Sequence, residues 1–114
     1  MARVYFSNNR KNKFNAKKKQ YNGRYYDSIL EANYAEQLDW QKKLGEISEI
    51  TPQFKIPLDV GGVHIANYYM DFKVVLYDGR VEMHECKGVE TPLWRMKWRL
   101  AKALYPDWNF VLVK

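Results

Sequence analysis

The chain has very little cysteine and histidine: Cys86 is its single cysteine, and His64 and His84 are its two histidines. One cysteine can form neither an internal disulfide nor a cysteine-based zinc cluster. Two histidines do not make up for the missing ligands. A zinc site is therefore disfavoured, and we interpret Cys86 as a small core residue and not as a nucleophile.

A long apolar segment is also missing. No run approaches the ~20 residues that a membrane helix needs. The N-terminus is polar and basic, without the apolar stretch of a signal peptide. We therefore expect a cytoplasmic protein that has no membrane partner and is not secreted.

Acidic residues are absent from the first 20 positions, which hold seven basic residues. The rest of the chain has 12 basic against 13 acidic residues, so the net charge of +6 comes from this segment. We predict a basic, flexible arm over residues 1–20 and one domain over residues 21–114. A basic arm is common in proteins that bind nucleic acid, because phosphate contacts release counterions; a solvated, solubilising tail is an equally good interpretation. The arm residues assigned to nucleic-acid binding are Arg10, Lys11, Lys13, Lys17, Lys18 and Lys19.

Apolar residues are plentiful enough for one core, since 46% of the chain is hydrophobic and 16% aromatic. Periodicity predicts one helix over residues 28–44 and a second over residues 92–105. Apolar runs between turn signals predict four strands, at 53–58, 67–77, 80–87 and 108–113. The resulting order, αβββαβ, predicts an α/β fold with a mixed central sheet flanked by two helices.

The first predicted helix carries a carboxylate on its apolar side. At 100° per residue, Tyr34, Ala35 and Leu38 share one face, and Glu31 lies in the middle of that face. Ser28 and Glu31 also fit a capping box, in which the glutamate reaches back to the cap residue. Glu31 is therefore either a functional carboxylate or a part of the helix cap.

One predicted strand presents a carboxylate and an ammonium group together. Glu85 and Lys87 are two residues apart, so both side chains point to one face. Asp71, on the preceding strand, joins them only if the connecting loop has an odd number of residues. A three-residue loop at 77–79 places Asp71 opposite Glu85, and such a loop needs a left-handed residue, usually glycine, at its end. Gly79 stands there, so we predict this turn, with a positive φ at Gly79.

These residue types together suit phosphate-ester chemistry. The carboxylates of Asp71 and Glu85, with the backbone carbonyl of Cys86, offer the hard oxygen ligands that Mg²⁺ prefers. A bound metal ion lowers the pKa of a water and neutralises phosphate charge, while Lys87 supplies a compact positive charge. Glu31 would complete the site from the helix. Ion pairs of these carboxylates with neighbouring lysines are the structural alternative.

The second predicted helix is basic. Arg95, Arg99 and Lys102 share one side, where they would contact phosphates; a solvated basic face is the structural alternative. Lys97 lies on a largely apolar side, which favours a position near the active-site end.

The remaining conspicuous side chains receive no catalytic role. Trp94, Trp98 and Tyr105 form an aromatic stripe, for which core packing or a dimer interface is favoured over base stacking. His84 alternates to the face away from Glu85.

The pattern of Asp71, Glu85-Cys86-Lys87 and an upstream helix glutamate, in the order αβββαβ, resembles the PD-(D/E)XK nuclease superfamily, whose core is restriction-endonuclease-like. Two closer resemblances together cover roughly residues 21–113. A family of short phage proteins of uncharacterised function is similar in Tyr26-Asp27-Ser28, Glu31-Ala32, Tyr69-Met70-Asp71-Phe72 and Glu85-Cys86-Lys87-Gly88. The phage endonuclease I family of four-way-junction resolvases is similar in Asp71-Phe72, Asp78-Gly79, Glu85-x-Lys87-Gly88 and a basic helix that ends at Pro106.

The resemblance implies a Mg²⁺- or Mn²⁺-dependent endonuclease that cleaves DNA, with a branched substrate such as a Holliday junction favoured. It implies Asp71 and Glu85 as metal ligands, Lys87 as the catalytic lysine and Glu31 as the helix carboxylate. Where endonuclease I has a further carboxylate, Gln53 is the nearest candidate. Resolvases of this kind act as homodimers, and no small-molecule cofactor is implied. A phage-encoded protein would act in the cytoplasm of a bacterial host cell.

Two alternatives stay open. One is a phage DNA-processing nuclease that acts on linear or nicked duplex DNA. The other is a non-catalytic nucleic-acid-binding module on the same fold. The second is disfavoured, because a lost activity would leave no reason to keep Asp71, Glu85 and Lys87 together.

Overall fold

The computed structural model describes residues 3–5, 19–21, 23–26 and 28–114. In chain order the elements are β1 (Arg3–Tyr5), β2 (Lys19–Tyr21), β3 (Arg24–Tyr26), α1 (Ile29–Lys43), β4 (Ile47–Val60), β5 (Val63–Leu76), β6 (Val81–Cys86), α2 (Pro92–Leu104) and β7 (Asn109–Val113). Of the basic arm residues, Lys19 begins β2, and the others lie outside the described residues: Arg10, Lys11, Lys13, Lys17 and Lys18. Among the described residues, no helix has the length and apolarity to cross a membrane.

Both long helices form where the sequence predicts them, to within one residue at each end. The hydroxyl oxygen of Ser28 accepts the N–H of Glu31 at 3.1 Å, which caps the start of α1. Thr91 caps α2 in the same way, by accepting the N–H of Trp94 at 3.1 Å. These side-chain oxygens satisfy amides that the first turn of a helix leaves unpaired. Gly45 ends α1 with a φ of 86°, a conformation that glycine adopts without strain.

The central sheet is mixed, with the strand order β1-β7-β6-β5-β4. β4, β5 and β6 pair antiparallel, whereas β7 pairs parallel with both β6 and β1. β2 and β3 form a separate antiparallel pair. The long connection from β6 to the parallel strand β7 passes through α2, as parallel pairing requires.

Strand β4 is much longer than the predicted segment at 53–58. It runs from Ile47 to Val60 and includes Pro52 and Pro57, which have no backbone N–H to donate. β4 is the last strand of the sheet order, and an edge strand tolerates proline because one side of its backbone has no neighbour to bond. The predicted strand at 53–58 therefore lies within β4 but misses both of its ends.

Each face of the sheet is covered by one helix. Val111 and Val113 of β7 pack with α1, and the alternate residues Phe110 and Leu112 pack with α2. We call these two sides the α1 layer and the α2 layer. The predicted α/β fold, with a mixed sheet flanked by two helices, is confirmed.

Strand β5 changes the face that it buries at Asp71. Tyr68 and Met70 belong to the α2 layer, whereas Phe72 and Val74 belong to the α1 layer, although a regular strand would place all four on one face. β4 makes the same change between Ile50 and Phe54. We call this point the face switch.

The backbone of Gln53 explains the change in β4. Its φ of 52° is the single positive value among the described non-glycine residues. The register pairs Pro52 with Phe72 and Phe54 with Met70, so Gln53 lies opposite Asp71. A left-handed, non-glycine residue is strained, and such strain concentrates at functional sites.

Candidate active site

The turn between β5 and β6 sets the geometry of the site. The N–H of Leu76 donates to the carbonyl of Arg80 at 2.9 Å, and the N–H of Gly79 donates to Leu76 at 2.9 Å. Gly79 has a φ of 90°. The loop therefore has three residues, and the positive φ at Gly79 is confirmed. Because the register continues from Val75–Val81 to Phe72–His84, Asp71 comes opposite Glu85, as predicted.

Asp71 is held by the backbone of the neighbouring strand. Its Oδ2 accepts the N–H of Cys86 at 2.8 Å, and its own N–H donates to Oε1 of Glu85 at 3.3 Å. Burial raises the pKa of Asp71 well above its usual range, and the charges of Glu85 and Glu31 raise it further. The alternative in which Asp71 pairs with Lys73 does not hold, because the Lys73 ammonium lies over the ring of Phe54 at 4.8 Å.

Glu85 is buried, with 5% of its surface exposed. Its Oε2 accepts two hydrogen bonds of 2.9 Å, from the hydroxyl of Tyr68 and from the indole N–H of Trp94. Burial raises the pKa of Glu85, although these donors and the charge of Lys87 oppose that shift. Burial and the nearby Glu85 carboxylate also raise the pKa of Tyr68, so its hydroxyl stays protonated and donates.

Lys87 follows the end of β6 and is half-buried. Its ammonium lies over the ring of Trp94, 5.5 Å from the centroid. Its backbone N–H donates to the carbonyl of Val113 at 2.9 Å, which ties this position to β7. The positive charge of Lys87 lowers the pKa of Glu85, so the two groups interact electrostatically.

Glu31 reaches the same site from α1. It is 5% exposed, and its Oε2 accepts the side-chain N–H of Gln53 at 3.2 Å. The same Nε2 donates to Oδ1 of Asp71 at 3.5 Å, so one amide stands between two carboxylates. Glu31 also fulfils half of the capping box, because its backbone N–H donates to Ser28. Its carboxylate thus faces the sheet, as its position on the apolar face predicts.

Cys86 contacts Asp71 through its N–H, whereas the prediction concerned its carbonyl oxygen. The side chain packs at the margin of the α1 layer, so its interpretation as a core residue is confirmed. Burial, together with the charges of Asp71, Glu31 and Glu85, raises the pKa of the Cys86 thiol. A thiol held in the protonated form is a poor nucleophile.

The chemistry of these donors fits a hard divalent cation. Buried negative charge needs a counter-charge, and carboxylate oxygens are the ligands that Mg²⁺ and Mn²⁺ prefer. In the described ranges 3–5, 19–21, 23–26 and 28–114, no three His, Cys, Asp or Glu side chains lie close enough together to hold a metal ion as they stand. Gln53 lies between Glu31 and Asp71. The residues therefore fit a cation at Asp71 and Glu85, and Gln53 has to move before Glu31 can join them.

Three of the four basic residues of α2 contact partners within the protein. Arg95 pairs with Glu90, with 3.5 Å between Nε and Oε1. Lys102 lies over the ring of Trp98 at 5.6 Å. Arg99 is exposed. Lys97 is half-buried and donates to the carbonyl of Asn67 on β5 at 3.5 Å, so the structure ties it to the strand that carries Asp71.

Sequence reasoning missed the contribution of Tyr68 and Trp94. It placed Trp94 in an aromatic stripe, and the core position is confirmed, because Trp94 stacks on Trp98 with 5.4 Å between the rings. The indole N–H, however, donates to both Glu85 and the Tyr68 hydroxyl. The available signal was that a buried indole N–H almost always has a partner. We call Glu85, Tyr68, Trp94 and Asp71 the Glu85 network.

A second buried network lies on the α1 side of β6. The hydroxyl of Tyr34 and Nδ1 of His84 are 2.6 Å apart, and Nε2 of His84 is 2.9 Å from Oε1 of Glu82. Asn109 donates to Oε2 of Glu82 at 3.1 Å. We call this the His84 network. His84 faces away from Glu85, as predicted.

The fold and these side chains define an α/β protein with a buried cluster of carboxylates beside one lysine. Residues 11–114 match a family model described as "Protein of unknown function (DUF1064)". The match covers everything after the first ten residues, so the chain belongs to this family. No curated protein and no solved structure matches the chain.

Proposed function

We propose that this protein is a metal-dependent endonuclease that hydrolyses phosphodiester bonds in DNA on a restriction-endonuclease-like core. The observation that carries the proposal is the register of β5 and β6, which brings Asp71 opposite Glu85 with Lys87 at the same end of the strand. Glu31 approaches from α1 through Gln53. Carboxylates that lie beside a lysine in this way are the residue types that phosphodiester hydrolysis with a divalent cation uses.

Each residue has a role in the proposed reaction. Asp71 and Glu85, with the carbonyl of Cys86, would hold a Mg²⁺ or Mn²⁺ ion, and Glu31 would add a further oxygen. When bound, that ion supplies Lewis-acid chemistry and neutralises charge on the phosphate. The Lys87 ammonium would orient the attacking water or stabilise the charge that develops on the phosphate oxygens. Water adds across one P–O bond, which yields a phosphate monoester and a hydroxyl.

Branched DNA is the substrate that we favour. The resemblance to the endonuclease I family supports this choice, and a homodimer would place two sites on two strands. The basic residues of the arm and of α2 would contact phosphates and position the duplexes. If a phage encodes the protein, it would meet this substrate in the cytoplasm of its bacterial host.

The test compares a labelled four-way junction with a linear duplex of the same sequence, with Mg²⁺ and with a chelator. We expect metal-dependent cuts near the branch point and an intact duplex. Equal cutting of both substrates would retain the nuclease and point to the alternative activity on linear or nicked DNA. No cutting of either substrate, despite tight binding, would overturn the proposal.

A non-catalytic DNA-binding module is the second candidate. One observation favours it: the Gln53 amide stands between Glu31 and Asp71, where a nuclease would need room for a cation. A module of this kind would bind DNA without any cation-dependent change in stability. Thermal unfolding with and without Mg²⁺ separates the two candidates, because a ligand that binds only the folded state raises the melting temperature.

A further inference from the structure

Trp94 touches both proposed active-site charges through different parts of one ring system. Its indole edge donates to Oε2 of Glu85 at 2.9 Å, and its face lies beneath the ammonium of Lys87. Its position is fixed from two sides: its backbone N–H is bonded to Thr91, and its ring stacks on Trp98. Because its own position is fixed in this way, the Trp94 ring can orient Glu85 and Lys87.

Tyr68 donates to the same oxygen of Glu85 as Trp94 does. Its hydroxyl donates to Oε2 at 2.9 Å and accepts the indole N–H of Trp94 at 2.7 Å. Oε2 of Glu85 thus receives two donors, which is the accepting capacity of one carboxylate oxygen. Oε1 receives one donor, the backbone N–H of Asp71, at a longer 3.3 Å. Oε1 is therefore the oxygen of Glu85 with capacity left for a cation.

The same arrangement keeps Lys87 apart from Glu85. Among the described residues, Lys87 forms no ion pair within 4.0 Å, and its ammonium rests on the Trp94 ring instead. A lysine that closed onto Glu85 would neutralise the carboxylate and compete with a cation. The indole face offers the ammonium an attractive position that leaves the carboxylate charged.

We propose that Trp94 and Tyr68 are positioning residues that select the metal ion: by holding Oε2 of Glu85, they restrict this carboxylate to one oxygen toward the cation. This inference rests on the proposed function. Mg²⁺ takes single carboxylate oxygens in a rigid octahedral arrangement, whereas Ca²⁺ accepts carboxylates through both oxygens and with more ligands. The pair therefore favours Mg²⁺ over Ca²⁺, and its loss relaxes that preference.

The test measures the affinities for Mg²⁺ and Ca²⁺ by calorimetry in the wild type, Trp94→Phe, Tyr68→Phe and the double variant. Tyr68→Phe removes only the hydroxyl donor, whereas Trp94→Phe removes the indole N–H together with part of the ring system and leaves an aromatic ring in place. We expect the ratio of Mg²⁺ to Ca²⁺ affinity to fall about tenfold in the double variant, and less in each single variant. Trp98→Phe is the matched control, since Trp98 lies one helical turn away in the same stack and has no bond to Glu85. Its ratio should stay within about twofold of the wild type, since it leaves both donors to Oε2 in place.

Two results would overturn the inference. One is an unchanged ratio in the double variant, and the other is an equal fall in the ratio in Trp98→Phe. The contact of Trp94 with Glu85 is tested separately, without a cation, by NMR of the indole N–H resonances of the four tryptophans. Glu85→Gln should move the Trp94 resonance and leave that of Trp98 in place, and a stationary Trp94 resonance would also overturn the inference. If the wild type binds neither cation, yet Glu85→Gln moves the Trp94 resonance, the proposed function and the metal preference are refuted but the positioning is not.

Discussion

The Glu85 network and the His84 network begin at adjacent residues of β6 and point to opposite faces of the sheet. In the His84 network, a tyrosine, a histidine, a glutamate and an asparagine satisfy one another in a chain. In the Glu85 network, the carboxylates of Asp71 and Glu85 lie together beside Glu31 and Lys87, and burial together with repulsion from Glu85 and Glu31 raises the pKa of Asp71. Burial of polar groups alone therefore does not mark a site. Carboxylates close enough to raise the pKa of a neighbouring carboxylate, as Glu85 and Glu31 do for Asp71, distinguish the proposed site from the His84 network.

The largest difference between the networks should appear in activity. Lys87→Ala should lower the rate of DNA cleavage by about 10³-fold, because it removes the positive charge beside the reacting phosphate. Tyr34→Phe, in the His84 network, should leave the rate within about threefold, since it removes the hydroxyl that contacts His84 and leaves Asp71, Glu85 and Lys87 in place. Single-turnover cleavage of the junction measures both. DNA binding by Lys87→Ala should persist, and a variant that cleaves normally would contradict the active-site assignment.

For stability, we expect the larger loss from a substitution in the His84 network. Glu82→Ala should lower the free energy of unfolding by about 3 kcal/mol, because it leaves His84 and Asn109 without their shared acceptor inside the protein. Urea unfolding at neutral pH with a chelator gives this value. Glu82→Gln, which keeps an acceptor oxygen, should lose less. A loss below about 1 kcal/mol in Glu82→Ala would mean that the His84 network is not a stabilising unit.

Added Mg²⁺ should stabilise the protein through the Glu85 network alone. At a concentration of 100 times the Kd, a ligand specific for the folded state adds about 2.7 kcal/mol. Asp71→Asn should abolish most of this gain, whereas Glu82→Gln should retain it. Thermal unfolding at several Mg²⁺ concentrations measures the effect, and an equal gain in all three proteins would place the cation elsewhere.

The smallest expected effect is a gain in the stability of the folded protein. Asp71→Asn should stabilise the cation-free protein at pH 7 by about 1 kcal/mol, because it removes a buried charge that repels Glu85 and Glu31. The folded pKa of Asp71 lies above its unfolded value, so folding stability falls as the pH rises through the folded pKa. Below the unfolded pKa both states are protonated, and the gain should vanish near pH 3.

Urea unfolding of Asp71→Asn and the wild type at pH 3 and pH 7, with a chelator, tests that sign. The asparagine oxygen can still accept the N–H of Cys86, while its amide nitrogen replaces the oxygen that accepts from Gln53. Destabilisation at pH 7 would show that the carboxylate is compensated within the fold.

Much of the candidate site could be predicted from the conformational preferences of single turn and cap residues. Gly79 fixes the length of the β5–β6 turn, the turn fixes the register, and the register brings Asp71 to Glu85. Ser28 fixes the start of α1 and so directs Glu31 toward the sheet. Each step depends on a few residues with strong conformational preferences, which a single sequence displays.

The face switch and the role of Trp94 do not follow from such rules. A left-handed backbone at Gln53 has no sequence signature, because the strain is supported by contacts that form only in the folded sheet. Periodicity places Trp94 on the buried side of α2, but it does not tell which atoms of the ring meet which partner. These features depend on the docking of α2 against β5 and β6, which brings Trp94 to Tyr68, 26 residues earlier in the chain.

The face switch affects how the two layers of the core unfold. Since β4 and β5 each supply side chains to both layers, neither layer can separate without disturbing the same pair of strands. The two halves of the core should therefore lose structure as one cooperative unit. In native-state hydrogen exchange, the amides of β5 on either side of Asp71 should exchange with the same free energy, equal to that of global unfolding.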